Sequence, residues 1–312
     1  MMYILGLDFG GTKLAAGLVD AATGAVVARD SRPTPVGGGA EASLALMLEM
    51  ARALLTARGS RLSAVGVSFG GPVEADGRTV RLSMHVPGWE SLPLADRLED
   101  ALGAPAAVAN DGDAAALAEY RFGAGRGVRH MLYLTVSTGI GGGVIVGGQL
   151  HRGERAWAGE VGHQILKPDG PPCPCGRNGC LESLASGLSV AREARVLLRG
   201  PGAAMSSLAA IPADAVTARD VAHAAAAGDP LARAVWDAAM EWLGIGISSA
   251  CNLLNPGRVV LGGGLTRAGD LLFDPVRRVA AYRALDPKLE IVPAALGDDV
   301  GILGGASLGL PV

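Results

Sequence analysis

Hydrophobic positions along this chain switch between a period of two and a period near 3.6, and the switches fall at glycine-rich turns. Residues 3–7 are an apolar run leading into Asp8 and Gly10-Gly11, and 14–19 return as a second run, which predicts a β-hairpin. Over 41–58, Leu44, Met47, Leu48, Ala51, Leu54 and Leu55 recur at helical spacing. A buried-type strand follows at 64–69, ending at Gly70-Gly71-Pro72. A helix at 91–102, a strand at 106–109 ending in Asn110-Asp111, and a helix at 113–122 come next.

The pattern then restarts. An apolar strand at 130–136 runs into Ser137-Thr138-Gly139, a glycine-rich turn follows, and 143–146 read as the return strand. Strand, polar-glycine turn and strand thus occur twice, which points to a duplicated architecture with one phosphate loop per lobe. Beyond this, 183–198 read as one helix and 199–212 as a loop. Thr217 with Asp220 has the pattern of a helix start, and Asp229-Pro230 opens a long helix to residue 254. A strand at 258–261 enters Gly262-Gly263-Gly264, and helices are expected at 271–282 and 300–308. Such alternation predicts an α/β fold with its chemistry at the strand ends.

Composition narrows the field. The 312 residues suffice for two lobes, and a net charge of −3 with dispersed lysines and arginines gives no basic run for nucleic acid or anionic membrane. Hydrophobic residues reach 49%, but 47 glycines and an aromatic content of only 4% fit close packing of small residues better than a membrane protein. No signal peptide or spanning segment is legible, so a cytoplasmic protein with reduced thiols is expected.

Three of the four cysteines, Cys173, Cys175 and Cys180, fall in the string CPCGRNGC, ten residues after His163. Three thiols and an imidazole at this spacing suit a tetrahedral structural zinc site. A disulfide is the competing reading, although Cys173 and Cys175 are poorly placed to bridge each other. Glu160 and Glu182 flank the cluster, so a metal here would fix two carboxylates, as a polyhydroxy ligand requires. Gly10, Gly11, Thr12 and Lys13 offer backbone N–H groups, a hydroxyl and a cation to an anion, with Asp8 placed to reach Mg2+. Thr138 and Gly139 offer a second such turn. Asp111 is suited to take a proton from a substrate hydroxyl, and equally to cap a helix. Gly262, Gly263 and Gly264 would let a flat adenosine lie on backbone.

Together, DFGGTK at 8–13, NDGDAAALAE at 110–119, STGIGGG at 137–143, GEVGH at 159–163, CPCGRNGCLE at 173–182 and LGGGL at 261–265 resemble the ROK family of sugar kinases and regulators. The resemblance implies a two-lobed actin-like ATPase fold, built from duplicated ribonuclease H-like domains around an interlobe cleft. It implies a first lobe over 1–112, a second over 113–298, and a last helix over 299–312 packing back on the first. It implies ATP-dependent phosphorylation of a hexose at its 6-hydroxyl, glucose foremost. N-acetylmannosamine, fructose, mannose or allose are the other sugars in view, polyphosphate is an alternative donor, and a sugar sensor without DNA-binding function is the rival reading. Asp111 falls on the family's base. Asn110, Gly71, Glu160, His163 and Glu182 fall on its sugar contacts, and the glycine loops on its ATP contacts. The implied partners are sugar, ATP with Mg2+, and other copies of the chain in a dimer or tetramer, with no nucleic acid and no membrane. Two positions depart from the family pattern: His85 stands where an asparagine is usual, and Gly112-Asp113 where Ala-Asn is common.

Overall fold

The computed structural model describes residues 2–58, 61–83, 86–201 and 203–310. The chain divides into two compact units, one of Met1–Met131, Gly143–Gly159 and Ala294–Val312, the other of Leu132–Gly142 and Glu160–Pro293. Each is a mixed α/β body.

The first sheet has the order β3 (Val26–Pro33), β2 (Lys13–Asp20), β1 (Met2–Phe9), β4 (Arg61–Phe69), β5 (Ala106–Asn110). The three strands at one side form an antiparallel meander, and β4 and β5 add in parallel beside β1. The second sheet runs β10 (Ile291–Pro293), β9 (Arg258–Gly262), β6 (Met131–Val136), β7 (Ile140–Val146), β8 (Gln149–Leu150). Read from its β10 edge, this is the order of the first sheet read from β5. The repeated strand–turn–strand pattern is the local sign of that duplication.

Alternation along β1 separates two faces. Tyr3, Leu5, Leu7 and Phe9 join Leu44, Met47 and Met50 of α1 (Gly39–Arg58) and Leu94 and Leu98 of α2 (Leu94–Leu102) in one core. Trp89 closes it, packing edge-on against Phe9 and Phe69 at 5.4 and 4.8 Å. The other face carries Ile4, Gly6 and Asp8, covered by α3 (Asp111–Phe122) and α9 (Val300–Leu308).

There the contact is backbone on backbone. Gly17, Gly6 and Gly66 stand side by side across β2, β1 and β4. A Cβ on Gly6 would lie 2.0 Å from the Ile302 carbonyl oxygen, and one on Gly66 only 1.8 Å from that of Gly305. Within α9, Gly304 meets Ala114 of α3 equally closely, its Cβ position 2.7 Å from the Ala114 carbonyl. In the second unit, α7 (Pro230–Leu254) packs against α8 (Asp270–Arg283) and α6 (Ala218–Ala226), and the Trp236 indole N–H donates to the Leu271 carbonyl at 2.9 Å.

Several expected boundaries move. The 183–198 helix is two helices, α4 (Leu181–Ala185) and α5 (Gly187–Leu197), because Ser186 is extended and caps α5, accepting from Ser189 N–H. The glycine-rich turn after residue 136 is only Ser137–Gly139. Ile140–Val146 is already strand, and Gly143 is needed there because its Cβ would lie 2.8 Å from the Gly112 carbonyl oxygen. β3 was not anticipated: it is an edge strand of Arg, Asp and Ser facing solvent, without the apolar alternation that announces a strand. Among the described residues no helix is long and apolar enough to cross a membrane.

Overpacking at the glycine row sets a testable expectation. Gly66→Ala should lower stability by about 2 kcal/mol or more, because two main chains must separate to admit one methyl group. Urea unfolding measures this, and an unchanged midpoint would contradict the packing described.

Candidate functional site

The β1–β2 turn is held by its own backbone. Gly10 N–H donates to the Lys13 carbonyl at 3.1 Å, where a Cβ would sit 2.8 Å from the same oxygen. Thr34 braces the turn from β3's far end, its hydroxyl donating to Gly10 O at 2.8 Å and its N–H to Thr12 O at 3.0 Å. Gly11, Thr12 and Lys13 are left exposed at the tip.

Asp8 lies beneath that turn on the α9 face. The first turn of α9 covers it so closely that a Cβ on Gly301 would lie 2.4 Å from the Asp8 carboxyl carbon. Burial raises its pKa to about 6, with the nearby Asp111 charge adding to the rise and Ser68 and Lys13 opposing it. Asp111 itself is exposed at the first position of α3. Asn110 is the helix cap: its Oδ1 accepts from Gly112 N–H at 2.9 Å, and its Nδ2 donates to the Gly71 carbonyl at 3.1 Å. Asp111 Oδ1 accepts from the same Gly112 N–H at 2.9 Å. The first unit therefore gathers Asp8, Asn110, Asp111 and the Gly71 segment. His85 lies outside the described residues.

In the second unit, His163 and three cysteines converge with all four ligand atoms within 4.8 Å of one another. Cys175 Sγ and Cys180 Sγ are 3.6 Å apart, and Cys173 Sγ is 3.7 Å from His163 Nδ1. Tetrahedral zinc with Zn–S near 2.3 Å requires sulfurs about 3.8 Å apart, so the donor set fits the ion. Burial pushes the Cys173 thiol up to about 12. Burial acts upward on Cys175 too, but the Arg177 backbone N–H and the two neighbouring sulfurs outweigh it and bring that thiol to about 7.

Glu182, at the start of α4, connects this cluster to the β6–β7 turn. Its Oε2 accepts from Ile140 N–H at 2.8 Å and its Oε1 lies 3.8 Å from Cys173 Sγ. The carboxylate closes on Gly139 so tightly that a Cβ there would be 2.4 Å from Oε2. Glu160 precedes the 3-10 turn Val161–His163, with its Oε2 3.9 Å from His163 Nε2.

The β6–β7 turn also borders a cavity of about 990 Å3, lined by Ser137, Thr138, Leu188, Gly264, Leu265 and Arg267 among others. Gly263 has φ +90° and its Cβ would lie 2.5 Å from the Val136 carbonyl, so only glycine fits. The sequence reading included Thr138 and Gly264 but not Leu188 or Arg267. Leu188 reaches the cavity because the α5 N-terminus is hydrogen-bonded to the turn, Gly187 N–H to Ser137 O at 2.7 Å and Leu188 N–H to Thr138 O at 3.3 Å. Nothing in the local sequence marks that tertiary contact.

Two predictions follow from these geometries. The folded pKa of Asp8, about 6, lies above its unfolded value of 3.8, so the cost of ionising it is absent below about pH 4, builds between about pH 4 and 6, and is fully present above that. Asp8→Asn should therefore stabilise the ligand-free protein by up to about 3 kcal/mol at pH 8 and by nearly nothing at pH 4. Thermal melts at the two pH values test it, and equal shifts at both would refute it. Cys175→Ser should reduce bound zinc from about one per chain to under about 0.2, with a lower melting temperature, read by elemental analysis and melting of untagged protein.

Comparison with known proteins fits these observations. The ROK family profile matches residues 4–310. A glucokinase of Streptomyces coelicolor is 34% identical over 314 residues, covering 97% of this chain and 96% of its own. An N-acetylmannosamine kinase of Shigella flexneri is 34% identical over 311 residues, covering 98% of both. The crystal structure of a ROK family glucokinase from Streptomyces griseus, in complex with glucose and AMPPNP, superposes with a TM-score of 0.81 at 34% identity, covering 98% of each chain. The architecture is the two-lobed actin-like fold, and the chain belongs to the ROK family.

Proposed function

We propose that this protein is an ATP-dependent hexose kinase that phosphorylates glucose at its 6-hydroxyl. The observation that supports it most is the exposed Asp111 carboxylate on the first turn of α3, beside Asp8, in a chain one-third identical to glucokinases along nearly its whole length. Asp111 accepts the proton of the attacking hydroxyl, which is the task of a positioned base in phosphoryl transfer. Asn110 is held by its bond to Gly71 and by the cap it makes. It orients the sugar with Glu160, His163 and Glu182.

On the donor side, Gly10, Gly11, Thr12 and Lys13 bind phosphate oxygens, with Thr138 and Gly139 as the second turn. The cavity beside Gly262, Gly263 and Gly264 receives the adenosine. Asp8 is the residue to hold Mg2+: burial and the neighbouring Asp111 charge raise its pKa, and a divalent cation there relieves both the desolvation and the repulsion. Zinc in the cysteine–histidine site supplies rigidity, since three sulfurs and a ring nitrogen close its coordination. If His163 bound the metal through Nδ1, its Nε2 would carry the proton toward Glu160, whose Oε2 lies 3.9 Å away.

A second sugar has specific support. The N-acetylmannosamine kinase shares the same 34% identity as the glucokinase, so identity alone does not choose the acceptor. A coupled assay of hexoses and amino sugars with Mg-ATP should give glucose the highest kcat/KM. A higher value for N-acetylmannosamine would reassign the sugar and leave the kinase reading intact. Asp111→Asn should lower kcat by about a thousandfold while sugar affinity by calorimetry stays within a few-fold. Near-normal turnover would overturn the base assignment.

A further inference from the structure

Asp113 has no part in the chemistry above, yet it is only 5% exposed and sits two residues after Asp111 on the same helix. A buried carboxylate needs a cation or hydrogen-bond donors to offset its desolvation. Arg152, from the segment after β8, lies with its Nε 3.4 Å from Asp113 Oδ2. That Nε makes no hydrogen bond, so the contact is ionic. The Arg152 Nη2 donates to the Glu74 carbonyl at 3.2 Å.

A second arginine holds the same segment from the opposite direction. Arg81 pairs with the Glu74 carboxylate at 3.0 Å, donates to the Arg155 carbonyl at 3.2 Å, and lays its guanidinium 4.9 Å from the centre of the Trp157 ring. The segment closes on itself through Ala158 N–H to Arg152 O at 3.1 Å. Arg81 is also bonded back to the substrate-side strand end, its N–H donating to Pro72 O at 2.9 Å. The loop 152–158 is thus anchored to the helix of Asp111 by Arg152 and to the Gly71-Pro72 segment by Arg81. It ends at Gly159, with φ +92°, and the next residue is Glu160.

We propose that Asp113 is a positioning residue for sugar binding: through Arg152 it anchors the 152–158 loop, and so fixes the point from which the chain departs to Glu160. This rests on the reading of Glu160 as a sugar contact. A carboxylate at the third helical position could act on the helix dipole alone, but that role needs no Arg152. The pairing with a residue of the loop is what ties Asp113 to the acceptor.

The experiment is a double-mutant cycle of Asp113→Asn and Arg152→Gln, with Trp157→Ala as a third variant at the opposite anchor. Trp157 is 52% exposed, so its truncation removes an anchor without opening the core. Each single variant should raise the sugar KM about five- to tenfold with the ATP KM within about twofold, and the double variant should be no worse than either partner alone. Sugar KM within about twofold of wild type in Trp157→Ala, or in both ion-pair variants, overturns the proposal even if melting temperatures fall. Additive effects in the double variant overturn it as well. A wild-type protein that phosphorylates none of the sugars would refute the kinase reading itself, which separates the two failures.

Discussion

Close approach of one helix to three strands is the constraint on which the Asp8 face of the first unit depends. Gly17, Gly6 and Gly66 form a row, and Ile302–Gly305 of α9 lie on it, with carbonyl oxygens over Gly6 and Gly66 and the Ile302 side chain over Gly17. The arrangement gives up side-chain burial for close main-chain packing, and it explains a composition rich in glycine and poor in aromatic residues. Its chemical consequence is at Asp8. With α9 this low on the sheet, Gly301 is in contact with the Asp8 carboxylate and shields it from water. Burial and the Asp111 charge then raise the Asp8 pKa to about 6. The apolar core on the opposite face, with Trp89 against Phe9 and Phe69, supplies the stability that tolerates this cost.

The second unit couples metal and turn through one residue. Glu182 accepts from Ile140 N–H and touches Cys173, so the cysteine–histidine site and the β6–β7 turn share a carboxylate. Gly162 reinforces the link, since its Cβ would lie 2.0 Å from the Ile140 carbonyl oxygen. Ordering the cysteines with a metal therefore also orders Thr138 and Gly139.

Much of the site could be read locally. Asp111 and Asn110 stand at a strand–helix junction, and CPCGRNGC with an upstream histidine carries its own ligand spacing. At 110–111 the residues alone left both base and cap open; in the structure Asn110 caps α3, and the exposed Asp111 also accepts from Gly112 N–H. Residues 137–142 read as a glycine-rich turn ahead of a strand at 143–146, because glycine is ambiguous between turn and close contact. Gly139 belongs to the turn and faces Glu182, whereas Gly143 belongs to β7 and makes room for α3. β3 and the break at Ser186 were hidden for a related reason: an edge strand with a polar face and a helix interrupted by a serine cap leave almost no trace in hydrophobic period.

By itself, the amino-acid order determined the α/β alternation, the doubled hairpin, and the spacing of the cysteine–histidine cluster and of the polar residues at strand ends. Each of these depends on residue type and short spacing, which a chain carries without folding. Only the tertiary structure decided which glycine serves a turn and which a helix contact, that Asp8 is raised to about 6, and that Asp113 meets Arg152. Those outcomes depend on burial and on pairs of residues distant in sequence, and neither exists before the chain is packed.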